Sequence, residues 1–236
     1  MRSFEGYACN DIFSVGCTGR TVYVYDAEQN EVAKFRDIKY GYLPVISPDN
    51  DTFIVKSTDG AMAIYSYKEL RLLKKFRYSK DPGQDDGCCF SPDGLCFYNI
   101  EEHIEEYECR SHIAVYETGD FTKTEEISAE KGMLFRHIEW DPDERGMFVL
   151  GSCWDINGYF GGFVAHMVAN TIIKTVKITE MEYGFYQRYK NHEIHGYAGK
   201  EYVGGMFFGA DGNVYQIPKK KHYLSKLFYV HENDVL

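Results

Sequence analysis

A set of four short apolar runs recurs five times along this chain of 236 residues. A repeat of that kind constrains the fold more than any single motif, because each copy is one unit that cannot bury its apolar face alone. The third run of each unit reads VYVY at 22–25, AIYSY at 63–67, AVY at 114–116, VAHMV at 164–168 and VYQI at 214–217, so that successive starts are 41, 51, 50 and 50 residues apart. Each is preceded by another run: IFSVG at 12–16, TFIVK at 52–56, LCFYN at 95–99, MFVLG at 147–151 and YVGGMFF at 202–208. Each is followed by a further one: EVAKF at 31–35, LLKKF at 72–76, TEEI at 124–127, IIKTV at 172–176 and YLSKLFYV at 223–230. The leading run of each unit is YLPVI, GCCF or FRHIEW in the second to fourth units, with FEGYA and EIHGYA as weaker equivalents in the first and last.

These runs are rich in aromatic and β-branched residues, which pack well on a half-buried pleated surface. Four short strands per unit at a period of about 40–50 residues describe a propeller blade, in which neighbouring blades bury one another's faces. The chain is therefore expected to be all-β, a single propeller domain over 1–236 with five four-stranded blades. Their approximate bounds are 1–38, 39–79, 80–129, 130–179 and 180–236. Closing the ring would remove exposed sheet edges. Ser47-Pro48-Asp49, Ser91-Pro92-Asp93 (followed by Gly94) and Asp141-Pro142-Asp143 stand between the first and second strands of three units. Proline presets φ and aspartate bonds its own backbone, so these segments turn tightly. With such turns, and with Tyr25-Asp26 where a Trp-Asp pair could end a third strand, the chain resembles the WD40-like propellers. The resemblance implies a fold and no activity.

Charge and cysteine usage narrow the function classes. The formal net charge is −10, which disfavours general binding to phosphate backbones. The run Lys219-Lys220-Lys221 is the local exception and reads as a solvated turn. Seven cysteines without regular spacing, and no CxxC pair, do not describe a disulfide framework or a structural zinc site. No export signal and no apolar stretch of membrane-spanning length is evident. A cytoplasmic, monomeric protein with reduced thiols, no cofactor, no metal and no membrane or nucleic-acid partner is the expectation.

The repeat also locates the extra residues. The first-to-second and third-to-fourth turns are short. The long segments are 78–87 and 179–191, which join blades, and 101–111 and 152–162, which join second to third strands. All four would lie on one face of a propeller, and insertions in repeat proteins collect on the binding face. That face would carry an acidic rim (Glu101, Glu102, Glu105 and Glu106) and aromatic anchors (Trp154, Tyr159, Phe160, Tyr183, Phe185, Tyr186 and Tyr189), with Arg188 beside them. Tyr, Trp and Arg dominate protein–protein hot spots. Acid beside aromatic suits a basic protein partner. The same aromatics could instead fold back and cap the propeller mouth.

No catalytic constellation emerges. His192-Glu193-Ile194-His195 spaces its histidines three apart in a predicted strand, where they point to opposite faces, whereas a zinc helix needs them four apart. His103 and His112 flank the acidic loop without a fixed geometry. Asp85 and Asp86, and Asp141, Asp143 and Glu144, read as turns. Gly161-Gly162 and Gly204-Gly205 read as tight strand entries or bulges, and Cys88-Cys89 as an inert strand pair. The first functional expectation is a non-enzymatic protein-binding module, in a narrower version an immunity or inhibitor protein. A carbohydrate-binding or carbohydrate-processing propeller and a scaffold without a site of its own are the alternatives.

Overall fold

The computed structural model describes residues 4–80, 87–105, 108–141, 146–155, 158–184, 194–198, 201–208, 214–217 and 224–234. Packing divides the chain into two compact units. Unit 1 comprises residues 1–80 and 188–220, and unit 2 comprises residues 81–187 and 221–236. The break after Lys80 falls where the second and third repeats meet.

In unit 1, β1 (Gly6–Cys9), β2 (Phe13–Thr18), β3 (Thr21–Asp26) and β4 (Glu31–Phe35) form one antiparallel sheet in sequence order. A second meander contains β5 (Gly41–Ile46), β6 (Thr52–Ser57), β7 (Ala61–Ser66) and β8 (Arg71–Arg77). Unit 2 holds a third, of β9 (Cys88–Phe90), β10 (Cys96–Glu105), β11 (Glu108–Glu117) and β12 (Lys123–Ser128). Its fourth sheet has β13 (Met133–Asp141), β14 (Gly146–Asp155), β15 (Gly158–Val168) and β16 (Thr171–Ile178). In unit 1 a fifth sheet has only β17 (Ile194–Ala198), β18 (Glu201–Phe208) and β19 (Val214–Ile217).

The expected five four-stranded blades are thus corrected to four among the described residues, and none of these sheets closes on itself. The missing strand is the run at 223–230, which forms helix α1 (Leu224–Val230) in unit 2. Its buried residues are Leu224, Ser225 and Phe228. Leu224 and Phe228 are four apart, which puts both on one face of a helix, and that face lies on the apolar side of the fourth sheet with Phe148, Leu150, Val164 and Val176. The Leu224 amide donates to Glu139 Oε1 at 2.6 Å, and the Ser225 hydroxyl donates to the Asp141 carboxylate.

Position in the sheet decides composition. The middle strands β2, β6 and β7 are buried along nearly their whole length. Both of their faces are covered, as in sheets packed on two sides, and β6 and β7 carry apolar side chains on each face, Phe53 and Val55 against Ile54 in β6 and Ala63 and Tyr65 against Met62 and Ile64 in β7. The last strands β4, β8 and β12 are less buried and carry exposed charged side chains such as Glu31, Lys75 and Glu125, which blunt an unpaired edge. Between the first two sheets lie Phe13, Val15, Phe53, Val55 and Tyr65. Between the third and fourth lie Ile100, Ile113, Phe135, Val149 and Phe163.

The Ser-Pro-Asp turns close as expected. The Ser91 hydroxyl donates to Asp93 Oδ1 at 2.6 Å, and Ser91 Oγ accepts from the Cys96 amide at 3.0 Å. Ser47 and Asp49 repeat the arrangement. The Ser91 hydroxyl and the Leu95 amide hold the Asp93 carboxyl below the usual carboxylate range. Asp141 of the third tripeptide ends β13 and is buried, while 142–145 lie outside the described residues.

Candidate functional site

The segments 101–111 and 152–162, expected as loops, are mostly strand. The hairpin strands β10 and β11 run 10 residues each, and β14 and β15 run 10 and 11, against 6 for each of β2, β3, β6 and β7. The added residues therefore extend two hairpins of unit 2. The ladder runs on through them: Glu101 stands opposite His112, Glu102 opposite Ser111, and His103 opposite Arg110. Paired strands satisfy their own backbone groups.

Glu101 is buried at 1% exposure. Its Oε1 accepts from the Tyr116 hydroxyl at 2.7 Å and from the Asn99 amide at 3.0 Å. Its Oε2 accepts from Lys123 Nζ at 2.8 Å and lies 3.3 Å from His112 Nε2. Lys123 continues to Glu126 at 2.9 Å. Burial alone would push the Glu101 carboxyl up, but the bonds from His112, Lys123 and Tyr116 outweigh it and bring it to about 2. Burial first, and the Glu101 charge second, push the Tyr116 phenol well above its ordinary value. Glu102 is also buried and pairs with Arg136 Nη1 of β13 at 2.6 Å. These two glutamates are structural ion-pair partners within unit 2, not part of an open acidic loop.

A second chain of polar contacts runs from that pair to the surface. Tyr183 lies in a helical turn at 180–184, is 8% exposed, and hydrogen-bonds both Arg136 and Ser152. Its ring rests on Gly162, where a Cβ would approach the Tyr183 ring to 2.8 Å. Ser152 Oγ accepts from the Trp154 indole N–H at 3.1 Å. The Trp154 backbone N–H donates to the Gly132 carbonyl at 2.6 Å. Gly132 has φ +81°, and a Cβ there would come within 2.5 Å of the Trp154 carbonyl oxygen. A register shift between Cys153 and Trp154 marks a bulge in the β14–β15 ladder, the kind of irregularity that re-aims a side chain. The Trp154 side chain ends at the surface, 44% exposed.

Of the expected anchors, Trp154 is exposed and Tyr183 is core. The side chains of Glu105, Glu106, Tyr159, Phe160, Phe185, Tyr186, Arg188 and Tyr189 lie outside the described residues, as do the side chains of His192, Glu193 and His195 and the segment 81–86. Arg136 and Ser152 were missed, as were Lys123 and Gly132. For Arg136 and Ser152 the available signal was a polar residue set among buried apolar ones, in FRHI and LGSC. His112 faces Glu101 and Glu126. Among the described residues no group of three or more His, Cys, Asp or Glu side chains is placed to hold a metal ion. Cys9 and Cys109 are exposed, and Cys17, Cys88 and Cys153 are buried. Among the described residues no helix is long and apolar enough to cross a membrane.

No protein-family model matches the chain, and no curated protein matches it. Solved structures do. A Kuenenia stuttgartiensis hydrazine synthase chain matches with a TM-score of 0.57 at 14% identity, over 89% of this chain and 63% of that one. Dihydro-heme d1 dehydrogenase NirN, solved in complex with DHE, matches with a TM-score of 0.54 at 14% identity, over 87% of this chain and 43% of its own. U3-55K matches with a TM-score of 0.53 at 9% identity, over 75% and 52%. The chain thus spans between 43% and 63% of these relatives' lengths. Identities this low speak to fold alone, and the fold is of β-propeller type.

Proposed function

We propose that this chain is a non-catalytic protein-binding module of the propeller class, of the WD40-like kind that the two Ser-Pro-Asp turns favour, and that a partner docks at the hairpin end of unit 2 around Trp154. The observation that carries the reading is an exposed indole anchored at its base. Trp154 is 44% exposed, yet its ring N–H and backbone N–H are both committed inside the unit, to Ser152 and Gly132. An aromatic side chain already held in one orientation loses little freedom on binding, which favours affinity. Since Glu101 and Glu102 are engaged in buried ion pairs, docking here rests on the aromatic surface rather than on their charge.

The test is affinity capture beside a Trp154→Ala variant, followed by titration of the captured partner. The expected loss is about 2 kcal/mol, or roughly thirtyfold in affinity. A partner bound equally well by both proteins would move the site away from Trp154. Absence of any specific partner would reject the module reading.

A further inference from the structure

We propose that His231 is a protonation-operated latch that fastens the C-terminal segment to the 180–184 turn and across the edge of β16. His231 follows α1 directly, and its backbone N–H still bonds the Leu227 and Phe228 carbonyls at 3.2 Å. Its ring lies between two carboxylates from different segments. Nε2 is 3.0 Å from both oxygens of Glu182, and Nδ1 is 3.0 Å from Asp234 Oδ2. A neutral imidazole has one N–H and would turn a lone pair toward one of these carboxylates; only the imidazolium donates to both.

Both partners are themselves fixed. Glu182 Oε2 accepts from the Thr179 amide at 2.9 Å and hydroxyl at 2.7 Å, while Thr179 Oγ1 accepts from the Glu182 amide at 3.2 Å. That reciprocal arrangement is a capping box at the start of the turn. The Asp234 carbonyl accepts from the Lys177 amide of β16 at 2.8 Å, so the tail covers one outward donor of an edge strand. One proton therefore joins three segments of unit 2.

The charged groups facing the imidazole are Glu182 and Asp234. On the strands packed beside it, the Lys174 ammonium of β16 lies 5.9 Å over the Phe228 ring, and the His166 ring of β15 meets Phe228 edge-on at 5.4 Å. The bonds to Glu182 and then Asp234 raise His231 above the ordinary histidine value. Burial opposes ionisation of Glu182, but the bonds from His231 and Thr179 hold it below the usual carboxylate range. The latch is closed between those two values. It loosens as pH rises through the His231 value, and again at low pH as Glu182 takes up a proton. Tyr183, beside Glu182, lies on the route to Trp154; that consequence rests on the docking reading, and the latch does not.

The experiment is hydrogen exchange on the full chain, corrected for intrinsic rates, at the Lys177 amide and across 224–234, from about pH 6 to about pH 9. Wild-type protection should fall about fivefold over that range, the strength of a partly exposed ion pair. The variant His231→Gln should show the lower protection at every pH. Amides of β14 serve as the control for global folding. Equal wild-type protection at both ends, or a variant as protected as wild type at the acid end, would overturn the latch. No partner is needed, so this test and the docking test fail separately.

Discussion

Glu101 is a carboxylate under a sheet face, and its neighbours make it tolerable there. A buried charge without partners is costly, and here four donors from three strands surround the two oxygens. Its folded value is about 2 against an ordinary 4.5. Because the folded value is the lower one, its contribution to stability is fully present above the ordinary value and is lost as pH falls through the folded one. Urea unfolding of the wild type should therefore weaken on acidification across that window, whereas Glu101→Gln should show a flatter profile; parallel profiles would contradict the assignment. Trp154 has the opposite role. It can be truncated with little cost to folding because much of it is already in water, so a loss of binding in Trp154→Ala reports on docking.

At the scale of elements, the extended hairpins show why loop length and loop position are different quantities. EEHIEEYECRS looks like a charged insertion, but its residues continue the ladder of β10 and β11, where Glu101 stands opposite His112. The conformation of Gly132 is the hinge of the second hairpin's anchoring. With φ +81° and the Trp154 carbonyl oxygen 2.5 Å from where a Cβ would stand, any side chain meets both backbone strain and a backbone atom. Gly132→Ala should cost about 2 kcal/mol, read by denaturant unfolding, and should shift the emission of Trp154. An unchanged midpoint would mean that the 130–132 segment moves freely.

At the scale of the whole chain, each unit is completed by residues distant in sequence. Unit 2 takes its last covering from α1, after the chain has passed through unit 1. Phe228 is 3% exposed and meets Phe148 and His166 edge-on. Phe228→Ala should destabilise by about 3 kcal/mol, the usual range for a buried aromatic, and should increase binding of an apolar dye to the uncovered sheet. If both readouts stay at wild-type values, α1 is not part of the fourth sheet's core.

What the residues determined by themselves was local: strand runs, their order and the tight turns. Alternation, β-branching and Ser-Pro-Asp chemistry act over a few residues, so they are legible without a partner. The leading strands β5, β9 and β13, and even the weak equivalents at β1 and β17, fall where those runs stand. The tertiary structure decided what depends on distant neighbours. The final run carries enough apolar residues for a strand, but the uncovered face of the fourth sheet accepts two of its side chains four residues apart, and a helix results. The same holds for charge: Glu101 and Glu102 look like solvent-exposed acids until Lys123 and Arg136, brought from other strands, remove the cost of burying them. Tyr183 and Trp154 are both aromatic residues in long segments. One became core and the other surface because Gly162 leaves room beneath the first and a bulge turns the second outward.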